Sequence, residues 1–253
     1  MVELGSGPAL VLVAGLPGSW KYIAPAARAL STVCRVLAIS LGPECTLDSD
    51  VTRIVAGLDA RGIDRASVCG ISLGGLVALR FAATYPERTA ALVLVSSPGP
   101  GMRLRPHHRF YTRWPRVFGP LFVIETPFRI WRELRWPLIA AMLTTPVSFS
   151  KMARRARLIE STDIAADCGR VVAPTLVVTG DGRRDHVVPV ESTKEYLRAI
   201  PGSRHVTMHG TGHLGSVTRA AEFKAIVSAF VGRAFQGLPG RGPERAALRT
   251  DVA

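Results

Sequence analysis

Between Ala66 and Tyr85 a short apolar run stops at Gly70 and Ser72 follows two residues later. Leu73–Tyr85 then carries the apolar periodicity of a helix. A strand that turns straight into a helix leaves little room at the positions flanking its apex, and Gly70 and Gly74 occupy them. The turn predicts a strained backbone at Ser72 and a hydroxyl lifted above the sheet edge. Leu73 opens the helix, so its N–H is unpaired and available to an anion forming beside the serine. Taken alone, the G-x-S-x-G spacing fits a structural turn as well as a nucleophile, so the surrounding chain must decide.

The same alternation runs on either side. Ala9–Ala14, Val33–Ile39, Ala66–Gly70 and Ala91–Ser96 read as strands buried on both faces. Helices are expected over Trp20–Leu30, Asp50–Arg61 and Leu73–Tyr85, with Ser19 as N-cap of the first and Pro86 ending the third. The pattern resumes with strands at Pro174–Thr179 and Arg204–Met208 and helices at Val190–Ala199 and Val217–Val231. Strands alternating with helices build an α/β fold: a mostly parallel sheet with helices on both faces. Such sheets bind ligands beyond the carboxyl ends of their strands, where Ser72 and the Gly15–Gly18 loop fall. Residues 1–100 are therefore expected to form the first part of the core and 169–232 the second. Residues 101–168 form a helical insertion, read as a lid, and 233–253 a disordered Gly/Pro/Arg-rich tail.

Charge singles out the insertion. The 253 residues carry 32 Lys+Arg against 19 Asp+Glu, a net charge of +13. From Met102 to Leu158 there are twelve basic residues against Glu125 and Glu133, so +10 of that excess sits here. Aromatic residues crowd the same stretch: Phe110, Tyr111, Trp114, Phe118, Phe122, Phe128, Trp131, Trp136 and Phe149. Three readings fit: solvated arginine-rich helix faces, peripheral docking on an anionic membrane, or contact with an acidic substrate or acidic carrier. No groove-reading or base-stacking motif accompanies the charge, so nucleic acid is not expected. The four cysteines form no C-x-x-C pair, and His107-His108 has no carboxylate or cysteine at ligand spacing. Neither a metal nor a cofactor is expected. No apolar stretch approaches a membrane span, and no positive residue precedes the Pro8–Leu16 run, so a cytoplasmic location is expected.

A serine hydroxyl needs a base within hydrogen-bond reach, and the base needs a carboxylate. Two late loops offer them: Asp185 in Asp185-His186-Val187-Val188-Pro189 and His213 in Gly210-Thr211-Gly212-His213. Asp181, beside Gly180, is the rival acid. His205 and His209 flank a strand and read as packing or solvent-facing residues.

These segments, with Tyr85-Pro-Glu-Arg88 and Pro174-Thr-Leu-Val-Val-Thr-Gly180, together resemble the α/β-hydrolase superfamily, in its lid-bearing esterase, lipase and cofactor-free haloperoxidase-like branch. The resemblance implies Ser72 as nucleophile, His213 as general base and acid, and Asp185 as orienting carboxylate. The N–H groups of Leu16 and Leu73 would form the oxyanion hole. The chain departs from the family at Ala14-Gly15-Leu16, where His-Gly is usual, and at Ser40-Leu41-Gly42-Pro43-Glu44-Cys45, which replaces an Asp-x-x-Gly-x-Gly turn. Asp185 also lies five residues past Gly180, where about three is usual in the family. The antiparallel strands that usually come first are missing or truncated, which predicts a smaller sheet with a less protected edge. The expected function is hydrolysis of a carboxylic ester, thioester or lactone of a hydrophobic small molecule, with or without an acidic group, through an acyl-enzyme on Ser72. The alternatives are a non-hydrolytic homologue (lyase, cyclase or acyl transfer) and a catalytically silent ligand-binding protein. Substrate and oligomeric state follow no motif.

Overall fold

The apolar runs lie side by side as strands. The structure, a computed structural model, describes residues 1–118, 121 and 136–235. Its strands are β1 (Val2–Leu4), β2 (Ala9–Val13), β3 (Arg35–Ile39), β4 (Ala66–Ile71), β5 (Thr89–Val95), β6 (Thr175–Thr179) and β7 (Arg204–Thr207). They form one seven-stranded sheet in the order β1-β3-β2-β4-β5-β6-β7. Every pair is parallel except β1 with β3.

Successive residues point to opposite faces of a strand, so each run feeds two cores. Val11, Val13, Val68 and Leu92 face one way, under α2 (Leu47–Asp59) and α3 (Gly74–Thr84). Leu10, Leu12, Cys69 and Val93 face the other way. There α1 (Ala24–Leu30) and the closing helix Ala220–Phe235 cover them. Ser19 caps the first helical turn as expected, its Oγ accepting from Lys21 N–H at 3.3 Å.

Some boundaries differ from the sequence reading. The antiparallel strands that were expected to be missing or truncated are reduced to one, the three-residue β1 on the edge of β3. Its Glu3 pairs with Arg35 at 2.7 Å and Arg61 at 2.8 Å. A short edge strand carrying a charge is a poor template for another chain, so the edge is better guarded than expected. Helix α2 begins at Leu47 rather than Asp50, because the Thr46 hydroxyl accepts from Ser49 N–H at 3.2 Å and starts the helix earlier. The expected helix 190–199 divides into Val190–Lys194 and Tyr196–Ala199, and the last helical region into Gly215–Thr218 and Ala220–Phe235. The latter continues through 233–235, where a disordered tail was expected; the rest of that tail lies outside the described residues.

Between β5 and β6 the described part of the insertion is helical. It comprises α4 (Pro106–Arg113), α5 (Trp136–Thr144), α6 (Phe149–Ser161) and α7 (Ile164–Gly169). Phe122, Phe128, Trp131, Glu125 and Glu133 lie outside the described residues. Arg80 of α3 ties the core to this segment: it reaches buried Asp167 of α7 at 2.8 Å and Asp48 of α2 at 2.6 Å.

The elbow is where backbone crowds backbone. A Cβ added at Gly70 would run into the Gly74 carbonyl and lie 2.5 Å from the Gly75 Cα. One added at Gly74 would meet the Val13 and Ala14 carbonyls at 2.5 and 2.6 Å. No side chain can swing aside to make room. Gly70→Ala is expected to lower unfolding free energy by about 1–3 kcal/mol, or to abolish folding. Urea titration beside Gly62→Ala, where nothing lies within 4 Å but φ is +60°, separates crowding from left-handed strain. Equal losses in the two variants would refute the close approach.

Candidate active site

Ser72 sits at the apex with φ of 54°, in the left-handed region that costs a non-glycine residue about 1–3 kcal/mol. Hydrogen bonds on both sides hold it there: Ser72 N–H donates to Val95 O at 2.8 Å and Gly75 N–H to Ser72 O at 2.9 Å. The neighbouring strand and the first helical turn thus determine where its hydroxyl points.

The loops after β6 and β7 meet each other across the same sheet edge. Asp181 N–H donates to Thr211 O at 2.9 Å, and a Cβ on Gly180 would lie 2.5 Å from the Gly212 carbonyl. The longer acid loop is absorbed by a single helical turn. Arg184 and Asp185 N–H both donate to Asp181 O, at 2.9 and 3.1 Å. That turn delivers Asp185 to His213. Asp185 Oδ1 accepts from Val187 and Val188 N–H, both at 3.0 Å, which leaves Oδ2 at 3.1 Å from His213 Nδ1. His213 Nε2 lies 3.1 Å from Ser72 Oγ. A carboxylate only accepts, so Nδ1 carries the proton and Nε2 accepts from the serine hydroxyl. Asp185 and His213 are both buried.

The rival acid does something else. Asp181 accepts from Gly210 N–H at 2.7 Å and lies 3.3 Å from His209 Nδ1, bracing the loop that carries His213. His205 is half-buried against the Thr179 hydroxyl at 2.8 Å; burial, then the Lys194 charge, push its pKa down. His107 and His108 meet edge to face, with the Tyr111 ring beside both, in the insertion.

Gly15 packs on the elbow, its missing Cβ position 3.2 Å from Ile71 O and 3.3 Å from Ser72 Cβ. This brings the Gly15–Gly18 turn, closed by Gly18 N–H to Gly15 O at 2.9 Å, alongside Ser72. Among the described residues neither Leu16 nor Leu73 N–H donates to a protein acceptor.

The comparisons to known proteins agree with this fold. Residues 10–226 match the model of the alpha/beta hydrolase family. The chain belongs to that family. Pyrrolizixenacetamide deacetylase of Xenorhabdus hominickii is 26% identical over 247 residues, spanning 90% of this chain and 92% of its own. Two solved structures share the fold. The enol-lactonase of Burkholderia xenovorans LB400 has a TM-score of 0.73 and 23% identity, covering 90% of this chain and 92% of its own. An esterase of Exiguobacterium antarcticum has a TM-score of 0.80 and 17% identity, covering 91% and 94%.

One residue of this alpha/beta hydrolase was not singled out in the sequence. Arg155 of α6 is only 5% exposed and reaches both atypical loops. Its Nη1 donates to Leu16 O at 3.4 Å and Pro17 O at 3.3 Å. Its Nη2 donates to Leu41 O at 3.1 Å and Gly42 O at 3.0 Å. Among the described residues it has no carboxylate at ion-pair distance, and Nε is buried without a partner. Burial pushes its pKa down, with Cys45 and the Asp50 charge opposing. Asp50 itself accepts from Gly42 N–H at 2.6 Å. Nothing but its place in the apolar stripe Met152–Ala156–Ile159 distinguishes this arginine from ten others in the insertion.

Two predictions follow from these contacts. Arg155→Met strips donors from four carbonyls and is expected to cost on the order of 3 kcal/mol in urea unfolding. Exposed Arg154→Met should stay within about 0.5 kcal/mol of wild type, and an equal cost in both would overturn the assignment. The second concerns acid. Burial raises the Asp185 pKa, but the His213 charge and hydrogen bond and the Val188 and Val187 N–H groups outweigh it, and the net shift is downward. A lowered carboxyl binds fewer protons folded than unfolded. Its stabilisation is whole above the ordinary aspartate pKa and is lost as pH falls through the folded value. Thermal melts across the acid range should show wild type losing its advantage over Asp185→Asn as pH drops; a constant difference would refute the shift.

Proposed function

We propose that this protein is a serine hydrolase that cleaves a carboxylic ester, thioester or lactone of a hydrophobic small molecule. The observation that carries the reading is the continuous hydrogen-bonded chain from Ser72 Oγ through His213 to buried Asp185. The reaction follows from the atoms. Ser72 Oγ attacks the acyl carbonyl while its proton passes to His213 Nε2. The carbonyl oxygen becomes an anion, and the Leu16 and Leu73 N–H groups are the donors this reading assigns to receive it. The tetrahedral adduct collapses, the C–O or C–S bond to the leaving group breaks, and His213 returns the proton to that group. Water then gives a proton to His213 and its oxygen to the acyl carbon, releasing the acid and restoring Ser72. Asp185 keeps Nδ1 protonated throughout and balances the charge on the imidazolium.

The names of the relatives, a deacetylase and an enol-lactonase, support acyl transfer to water as the reaction class. The first is named for an acetamide, which makes a small acetyl amide the natural comparison substrate. An amide nitrogen leaves only when protonated, so it asks more of His213 than an ester does.

The test is a fluorophosphonate probe with intact mass and peptide mapping, alongside turnover of an activated acetyl ester. One adduct on Ser72 is expected, absent from Ser72→Ala and His213→Ala. Turnover in Ser72→Ala should fall on the order of 10⁴-fold or more. Full turnover by well-folded Ser72→Ala, or an adduct elsewhere, would sink the reading. An adduct without water incorporated into product would direct attention to acyl transfer.

A further inference from the structure

The insertion carries arginine and apolar residues in adjacent pairs: Arg109-Phe110, Arg113-Trp114 and Arg116-Val117. The pairs recur at i, i+4 and i+7, the repeat of one helix face, and Leu121 continues the apolar series at i+11. Phe110 lies in the last turn of α4, Trp114 caps it, and Val117 lies in the helical turn that follows. Phe110, Trp114, Val117 and Leu121 are 48%, 54%, 65% and 45% exposed. All three arginines are exposed as well, and so are Arg103 and Arg105 just before them. Tyr111, Thr112 and Pro115 occupy the other side and are buried or half-buried, half-buried Phe118 lies with its ring 4.6 Å from that of Phe110, and α4 packs against α6. The outer side is therefore an apolar row with an arginine row running beside it.

Solvation alone accounts for the arginines but not for four large apolar side chains left in water at helical spacing. Among the described residues one acid meets the three arginines, Glu160, 3.3 Å from Arg109. The face thus demands a partner that offers negative charge and, directly beneath it, an apolar layer. A nucleic-acid duplex supplies phosphates, but its backbone gives Val117 and Leu121 nothing to enter. An anionic lipid surface supplies both at the depth a single helix spans.

We propose that this outer face of the insertion docks on anionic bilayers, its arginines on lipid headgroups and Phe110, Trp114 and Val117 in the boundary with the acyl chains. The contact is peripheral, since among the described residues no helix is long and apolar enough to cross a membrane. It does not rest on the catalytic reading, and either stands if the other falls.

Sedimentation of the full chain with vesicles tests it. One set is pure phosphatidylcholine; the other holds equal parts phosphatidylcholine and phosphatidylglycerol. Binding is expected to the anionic set only and to be released by high salt. The double variant Arg113→Gln/Arg116→Gln should bind roughly thirtyfold more weakly. Phe110→Ser/Trp114→Ser should lose at least about tenfold through its apolar contacts. Brominated acyl chains should quench tryptophan emission in wild type more than in Trp114→Ser. All these residues are exposed, so circular dichroism of the variants should match wild type. Equal binding to both vesicle sets, or binding to neither, would overturn the proposal. So would loss in the arginine variant with none in Phe110→Ser/Trp114→Ser, the mark of bare charge contact with any polyanion, an acidic protein included.

Discussion

The site depends on how closely backbone approaches backbone at the carboxyl edge of the sheet. Two contacts set that distance. Gly70 lies against Gly74 at the elbow, and Gly180 lies against Gly212 between the two late loops. The first puts Ser72 at a positive φ directly over the strand ends. The second brings a residue from after β6 within reach of one from after β7. Hydrogen bonds near 3 Å tolerate little play, so the chain from Ser72 to His213 to Asp185 exists only while both approaches hold. The strain at Ser72 is sustained by the buried strands around it, which is why a sheet covered on both faces suits this site.

Local features of this design were legible in the residues. Five apolar runs bounded by glycine, proline or turn residues mark β2 to β6, because burial on both faces leaves no alternation to confuse with a surface strand; β7, Arg204–Thr207, is only half-buried. The elbow was legible because a strand-to-helix turn restricts residue type within five positions. What depends on distant partners was not. Asp181 and Asp185 are both short acids in one loop. Only the helical turn Asp181–Asp185 decides which of them meets His213, and it does so by rotating one carboxylate in and the other toward Gly210. β1 is three residues long, too short to show a period, and is recognised only through its pairing with β3.

Arg155 shows the limit most sharply. It lies 139 positions from Leu16, in a segment where arginine is common, and composition hides it. The chain lacks the histidine expected before Gly15 and the turn expected after β3. A single guanidinium spans both of these loops, because its planar fork offers donors in two directions at once, one to Leu16 and Pro17 and the other to Leu41 and Gly42. A lysine, with one point charge on a flexible stem, has no such reach. The energetic cost of burying the cation is met by carbonyl dipoles and the nearby Asp50 charge rather than by a direct ion pair.

The insertion is therefore fastened rather than draped over the sheet. Arg155 anchors α6 to the loops after β2 and β3. The Tyr22 hydroxyl donates to Thr145 O at 2.7 Å near the end of α5, and Arg80 grips Asp167 on α7. Helix α4 is attached one step further out. Arg157 donates to Thr112 O, and Glu160 accepts from Leu104 N–H at 3.2 Å and pairs with Arg109. All three of those ties end on α6. For the bilayer docking proposed above that order of attachment matters, because a docking helix can orient the rest of the protein only if its position relative to the sheet edge is held. It also separates the two roles along the radius of the molecule. Side chains on the inner side of α6 act on the loop beside Ser72. Those on the outer side of α4 touch nothing in the core, so the outer face is free to vary in sequence without disturbing the geometry at the sheet edge.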